Sequence, residues 1–454
     1  MSERTFDVIV MGAGAPGEEC AGRTADGLET VLVENHLVGG ECSYYACMPS
    51  KALLRPAEAV AETERIPGAK EAVTGDLDAA AVLARRDEII HDLDDSGQLP
   101  WLEDRGIPLF RGHGRLDGER RVRVGDDVLE ARRAVVIATG SAAAVPPIDG
   151  LADASPWTNR EITTAKEVPG RLLVLGGGVV GVEMAQAWAT LGSEVTLVEA
   201  ESALIQNYEP FAREQVADGL RDAGVDIRTD ARASAVRRED GTVTLELEGG
   251  DSVTGDELLV AVGRKPRTDD IGLDTVGIEP GGYLEVDDRL RVNGFDWLYA
   301  VGDVNGRALL THAGKYQARI AGDVIRGREA TATADIAGSP QVVFTDPQVA
   351  AVGQTLESAR AAGVDAREVD WPTGSVAGAS FYGRGAEGTA RLVVDESRGV
   401  LVGATFTGPD VGEMLHAATV AVVGEVPLDR LWHAIPSFPT RSEVWLRLLQ
   451  EYGL

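Results

Sequence analysis

A strand, a glycine turn, a helix and then an acidic residue recur twice in this 454-residue chain, and that repeat constrains the fold more than any other feature. In the first copy the β-forming run FDVIVM ends in Gly12-Ala13-Gly14-Ala15-Pro16-Gly17, and TVLVE later closes on Glu34. In the second, RLLVL leads into Gly176, Gly178 and Gly181, and SEVTLVE closes on Glu199. Glycines at this spacing permit a tight turn, a close backbone approach to a pyrophosphate and close helix–strand packing, while an acid about 20 residues on accepts hydrogen bonds from ribose hydroxyls. One fingerprint is weak evidence. Two complete copies imply two related domains, each holding a nucleotide. The length accommodates them, since one domain per roughly 100–200 residues gives about three.

The net charge of -30 and pI near 4.6 argue against nucleic acid or an anionic membrane surface as a partner. No apolar run of roughly 18 residues is present, and MSERTFDVIVMGAG lacks a basic region followed by a cleavable apolar stretch, so a soluble cytoplasmic protein with no membrane partner is expected. Three cysteines do not make a secreted disulfide scaffold. Cys20 falls in the predicted first helix and is expected to be a buried small residue.

The other two cysteines lie in GGECSYYACMPSK, residues 39 to 51, with Cys42 and Cys47 five positions apart at the expected opening of a helix. A helix N-terminus and a nearby cation favour thiolate, so a redox-active dithiol explains the pair better than two structural thiols. Written as Gly-Gly-x-Cys-x4-Cys-x-Pro-Ser-Lys, the stretch resembles the active-site signature of the class I pyridine nucleotide-disulfide oxidoreductases. That family includes dihydrolipoyl dehydrogenase, glutathione and mycothione reductases, and mercuric reductase. VVIATGS (135–141), LLVAVGRKPRT (258–268), LYAVGDV (298–304) and QVVFTDPQVAAVG (341–353), with an amphipathic helix near 355–362, resemble later family segments, so the likeness spans essentially the whole chain.

The resemblance implies an α/β fold of two Rossmann-like three-layer nucleotide-binding domains and a C-terminal α+β dimerisation domain. FAD would occupy residues 1–150 and 271–337, NAD residues 151–270, and residues 338–454 would join two chains into a homodimer. Around FAD the expected residues are Gly12, Gly14, Gly17, Glu34, Glu41, Lys51, His113, Gly114, Thr139, Gly140, Asp303, Thr311 and His312. Around the nicotinamide nucleotide they are Gly176, Gly178, Val179, Gly181, Glu199 and Gly263; Val179 stands where some members carry a gating tyrosine. NADH is expected over NADPH, because Glu199 would repel a 2′-phosphate and the following AESALIQ supplies no arginine to receive one. By the same resemblance Cys47 contacts the flavin, Cys42 meets the substrate, and Lys51 pairs with Glu183 beside the flavin. His312 would open a helix whose N-terminus stabilises the anionic reduced flavin, whatever its side chain does. No metal site is expected.

The family motif His-Pro-Thr-x-Ser-Glu is altered here to Phe438-Pro439-Thr440-Arg441-Ser442-Glu443. The proton-exchanging base is replaced by an apolar ring, and a positioned acid or base is commonly worth about 10²–10⁴-fold, roughly 3–5.5 kcal/mol of barrier. The leading expectation is reduction of a small-molecule disulfide through a different proton donor, His433 being one candidate, or with an acidic leaving thiol. Alternatives are a quinone or metal-ion acceptor, a ketopropyl coenzyme M oxidoreductase/carboxylase-like use of Phe438 to exclude protons, and a non-catalytic redox sensor. Mercuric reductase proper is disfavoured, since LRLLQEYGL lacks that enzyme's terminal cysteine pair. The carboxylase motif departs at the Ser-Lys that this chain retains as Ser50 and Lys51. Tyr44 and Tyr45 either line the substrate approach or pack beneath the flavin domain.

Overall fold

Residues 3–454 are described by a computed structural model of mixed α/β architecture. They form two compact units. One comprises the chain up to Pro49 together with Asp87–Ala143 and Arg264–Ile336; the other comprises Ser50–Arg86, Ala144–Gly263 and Ala337–Leu454.

In the first unit, strand Glu3–Met11 lies parallel between Thr30–Glu34 and Asp127–Ile137, with Val8 opposite Thr30 on one side and Ala134 on the other. Leu109–Arg111 and Leu298–Ala300 extend this sheet in parallel, and Arg121–Val124 and Gly114–Leu116 add an antiparallel branch. Alternation of side chains then sets the layers. Val8, Val10, Leu32 and Val136 face Cys20, Ala21, Ala318 and Ala321 of the helices Ala15–Ala25 and Thr311–Ile325. Ile9, Met11, Val31 and Val135 point the other way, onto Leu116 and Val122 of the antiparallel branch. Strands covered on both faces must be apolar at every position, which is why VIVM and TVLV show no polar alternation.

The second unit repeats the plan. Strands Asp226–Arg228, Glu194–Val198, Arg171–Leu175 and Glu257–Val260 form a parallel sheet in that order. Leu172 and Val174 face the helix Val179–Thr190 and its fully buried Trp188, while Leu173 and Leu175 face Val236, Val243 and Leu245 of the antiparallel strands Ala233–Glu239 and Thr242–Leu247. The same unit carries a five-stranded antiparallel sheet, Gln341–Val343, Gln348–Gly353, Val400–Gly408, Thr389–Asp395 and Ala366–Pro372, in spatial order. Helices Val411–Val423 and Val444–Tyr452 cover one face of it through Leu415, Ala418, Leu448 and Leu449. The α/β class expected from the glycine repeat is thus the class observed. No described helix is long and apolar enough to cross a membrane.

Candidate active site

The two glycine turns are built alike, down to individual hydrogen bonds. Gly12 and Gly176 have φ of +106° and +108°, a region that L side chains avoid, and a Cβ on either would meet the backbone carbonyl of Ala138 or Ala261 at 2.3 and 2.5 Å. At Gly17 and Gly181 a Cβ would stand 1.9 Å from the oxygen of Gly12 or Gly176, so each helix leaves its strand at a distance only glycine allows. Gly14 and Gly178 sit at the helix N-caps in extended conformation and provide no side-chain cap. The first backbone N–H groups of each helix are therefore open to an anionic ligand. Glu34 Oε2 accepts from Ala13 N (2.6 Å) and Oε1 from His36 N (2.7 Å). Glu199 does the same with Gly177 N (2.5 Å) and Glu201 N (2.9 Å). Each ionised carboxylate keeps further lone pairs for ribose hydroxyls. Both turns therefore fit a dinucleotide, and Val179 and Gly181 lie in the first turn of the second helix.

The dithiol departs from the expected single helix. Cys42 lies within the short helix Gly40–Tyr44, the helix stops at Tyr45, and Cys47 begins a new one, Cys47–Glu64. The reason is packing: Tyr44 and Tyr45 are buried against Ile90, Leu37 and Leu93, and Tyr45 Oη also meets His36 Nε2 at 2.9 Å. Both tyrosines thus pack beneath the unit and do not line an approach. The break brings the two thiols within hydrogen-bonding reach of one another. Thr311 Oγ1 stands 3.3 Å from Cys47 Sγ and is the first residue of Thr311–Ile325, so that helix N-terminus is aimed at the pair. The hydrogen bond to Cys47, then burial, pushes the Cys42 thiol far above its ordinary range, with Thr311 and Lys315 opposing. The two thiols share their protons as a pair, and the groups beside them that favour negative charge are Thr311 and Lys315.

Other expected residues of the first unit gather around the ends of the same strands. Asp303, in a short 3₁₀ turn after Leu298–Ala300, accepts from Ser141 Oγ and lies 3.7 Å from Arg264 Nε. Glu41 pairs with Arg267 at 3.0 Å, and Thr139 Oγ1 and the Gly140 carbonyl bind the Arg267 main chain. His113 reaches Asn35 at 3.3 Å and the Asp270 carbonyl at 2.5 Å; burial and Arg115 lower its pKa. A Cβ on neighbouring Gly114 would press on Val33 at 2.9 Å. His312 is exposed at the start of its helix. Gly263, with φ of +138°, belongs to the other unit, where its carbonyl accepts from Ala144 N.

Lys51 and Glu183, 132 positions apart in sequence, meet in the second unit at 2.7 Å. Glu183 is almost fully buried; its other oxygen accepts from Phe344 N at 3.0 Å, and the Lys51 ammonium lies 4.5 Å from the Phe344 ring centroid. Removing the two partners is expected to have unequal effects. Lys51→Met strands a carboxylate in a buried site and should cost about 1–3 kcal/mol, whereas Glu183→Gln leaves the half-exposed ammonium in reach of water and should cost less than about 1 kcal/mol. Urea unfolding of both variants measures the asymmetry.

At the C-terminal motif Phe438 is 77% exposed and Ile435 is 91% exposed, Trp432 and His433 being exposed beside them. The Phe438–Pro439 peptide is cis. Glu443 is half-buried, and its Oε2 is buried without a hydrogen-bond partner. Arg441 is 6% exposed and stacks over Tyr382 at 5.1 Å. Sequence reasoning missed Ser141, Arg264, Arg267 and Phe344 as neighbours of the chosen residues. The two arginines were at hand in Gly-Arg-Lys-Pro-Arg-Thr; nothing in the sequence marks Phe344 as a partner of Lys51.

Residues 6–318 match the sequence family described as pyridine nucleotide-disulphide oxidoreductase, and residues 339–448 match its dimerisation domain. The chain is similar to a dihydrolipoyl dehydrogenase of Thermus scotoductus, 33% identical over 450 residues that cover 97% of this chain and 96% of that protein. It is also similar to a mercuric reductase of Lysinibacillus sphaericus, 28% identical over 453 residues, 98% of this chain and 82% of the relative. Among solved structures, the Cu(II) complex of the HOCl-induced flavoprotein disulfide reductase RclA from Escherichia coli matches with a TM-score of 0.86 at 27% identity, covering 98% of this chain and 99% of that one.

Proposed function

We propose, for a chain that belongs to the pyridine nucleotide-disulphide oxidoreductases, that electrons pass from NADH by way of FAD to the Cys42–Cys47 pair and from there to a small-molecule disulfide. The family is FAD-dependent and uses a pyridine nucleotide, so the chain is an oxidoreductase. We assign FAD to residues 1–150 and 271–337, the nicotinamide nucleotide to 151–270, and pairing of two chains to 338–454, whose exposed Ile435 and Phe438 favour a homodimer.

The observation that carries the reading is the dithiol itself: two thiols in mutual reach, one of them beside the hydroxyl that opens a helix. Bound FAD supplies the two-electron exchange between nicotinamide and thiol. Around it, the uncapped helix at Ala15 would hold the pyrophosphate and Glu34 a ribose. Thr311 and its helix N-terminus stabilise a thiolate at Cys47, leaving Cys42 to attack the substrate. Lys51, fixed by Glu183 and Phe344, would place a positive charge beside the reduced ring.

NADH is favoured because Glu199 is anchored by two backbone N–H groups and cannot swing away from a 2′-phosphate. Glu199→Ala is expected to reduce the NADH-over-NADPH ratio of kcat/KM by about tenfold or more, ~1.4 kcal/mol. Steady-state kinetics with both nucleotides measure it.

Phe438 supports a second reading in which a metal ion accepts the electrons, since such an acceptor needs no proton, and RclA has been crystallised with Cu(II). Anaerobic reduction with NADH followed by alkyl disulfides, aromatic disulfides, quinones or Cu(II) separates the two. Reoxidation by disulfides alone supports the first. Reoxidation by Cu(II) or quinones alone contradicts it.

A further inference from the structure

Sequence alone places Tyr45 between the two cysteines; the fold fastens it to the first glycine turn. Tyr45 ends the short helix Gly40–Tyr44, its N–H binding the Glu41 carbonyl at 2.8 Å, and Cys47 opens the next helix. The phenol ring is buried with Tyr44, Leu37, Leu93 and Ile90. A buried tyrosine hydroxyl usually finds a hydrogen-bond partner, and this one meets His36 Nε2 at 2.9 Å, nine positions back along the chain. The exposed imidazole lies nearly parallel to the phenol, with 5.7 Å between ring centroids and 15° between planes.

His36 is itself held on both sides. Its main-chain N–H donates to Glu34 Oε1 at 2.7 Å, and its carbonyl accepts from Arg111 Nη1 at 2.8 Å. Arg111 Nη2 pairs with Asp95 Oδ2 at 2.7 Å, and the same carboxylate oxygen accepts from Val38 N at 2.7 Å. Gly39 N then binds the Ala13 carbonyl at 2.8 Å, and a Cβ on Gly40 would stand 2.7 Å from Gly14 Cα. Residues 36 to 40 are thus tied at several points to the glycine turn and to strand Leu109–Arg111. The contact between His36 and Tyr45 carries that anchorage on to the helix break between the thiols.

We propose that His36 is a positioning residue for the redox pair: through Tyr45 it holds the helix break between Cys42 and Cys47, anchoring the dithiol to Glu34, the carboxylate assigned to a flavin ribose. The proposal rests on the disulfide-reductase reading. Closing the Cys42–Cys47 disulfide costs the loop between the two sulfurs its conformational freedom, and a loop already held has less to lose. Loosening the loop therefore releases freedom mainly in the open dithiol, because the disulfide is restrained by its own cross-link. The sign follows: without the hydrogen bond between His36 and Tyr45, the disulfide is easier to reduce.

The test equilibrates the FAD-loaded protein anaerobically in mixtures of reduced and oxidised dithiothreitol. The Cys42–Cys47 disulfide there takes two electrons and two protons from the reagent dithiol, whose sulfurs close into a ring disulfide. Alkylation and peptide mass give the fraction of each form. Tyr45→Phe, which removes a single oxygen, and His36→Leu should each shift the equilibrium about threefold or more toward the dithiol, the effect of losing one hydrogen bond. The double variant should shift it no further than His36→Leu alone, and His36→Gln, whose amide can reach the same hydroxyl, should restore the wild-type value. Urea unfolding of the same proteins separates positioning from packing. Lower stability with an unchanged dithiol–disulfide equilibrium overturns the proposal, and so does a double variant whose shift is the product of the two single ones. A wild type that forms no Cys42–Cys47 disulfide in any mixture instead overturns the disulfide-reductase reading beneath it.

Discussion

Phe438→His is expected to raise turnover of an alkyl disulfide by about 10²–10⁴-fold, the usual worth of a positioned general acid or base. Glu443 follows in a short 3₁₀ turn, Glu443 N binding the Thr440 carbonyl, and its buried Oε2 has no hydrogen-bond partner in the phenylalanine chain. A buried carboxylate oxygen left unmatched costs free energy, and in the family motif it is this glutamate that orients the histidine. A new limb near the ordinary histidine pKa, about 6.5, should accompany the gain, and adding Glu443→Gln should remove most of it. Measuring kcat/KM for both single variants and the double gives the coupling. If Phe438→His leaves turnover unchanged, proton transfer at this position does not limit the reaction.

Cys42→Ser is expected to abolish disulfide turnover, a loss of about 10³-fold or more, because Cys47 is then left without a partner thiol with which to close a disulfide. Cys20, the remaining cysteine, is fully buried and held as a thiol by that burial. The two variants should differ in their spectra. Cys42→Ser leaves the Cys47 sulfur beside Thr311 and should show long-wavelength absorbance even before NADH is added, whereas Cys47→Ser should show none. Turnover of Cu(II) or a quinone that survives both substitutions would move the exit point of the electrons away from the dithiol.

The parts of this molecule that sequence makes plain are those with local causes. The missing Cβ at Gly17 and Gly181 answers to the oxygens of Gly12 and Gly176 within a single strand–turn–helix, so spacing alone exposes it, whereas the crowding of Gly12 and Gly176 against Ala138 and Ala261 comes from remote segments. Glu34 and Glu199 were marked by their distance along the chain, although their double anchoring by backbone N–H groups was not. The helix break between the cysteines was hidden, because it depends on where Tyr44 and Tyr45 find an apolar surface, and Ile90 and Leu93 are remote in sequence. Thr311 beside Cys47, and Phe344 against Lys51 and Glu183, are contacts between residues more than 150 positions apart with no periodicity to announce them. The departure at Phe438 was visible at once, whereas the exposure of its ring and the unmatched Glu443 Oε2 became visible only in the fold.

The most direct test of the central claim is a count of thiols after anaerobic addition of one equivalent of NADH to the oxidised, FAD-loaded protein. Alkylation and peptide mass should show Cys42 and Cys47 both converted from disulfide to labelled thiol, with Cys20 unlabelled in the folded protein and long-wavelength absorbance appearing at the same time. A bleached flavin with the Cys42–Cys47 disulfide still intact would mean that electrons do not pass to these cysteines, and would contradict the account.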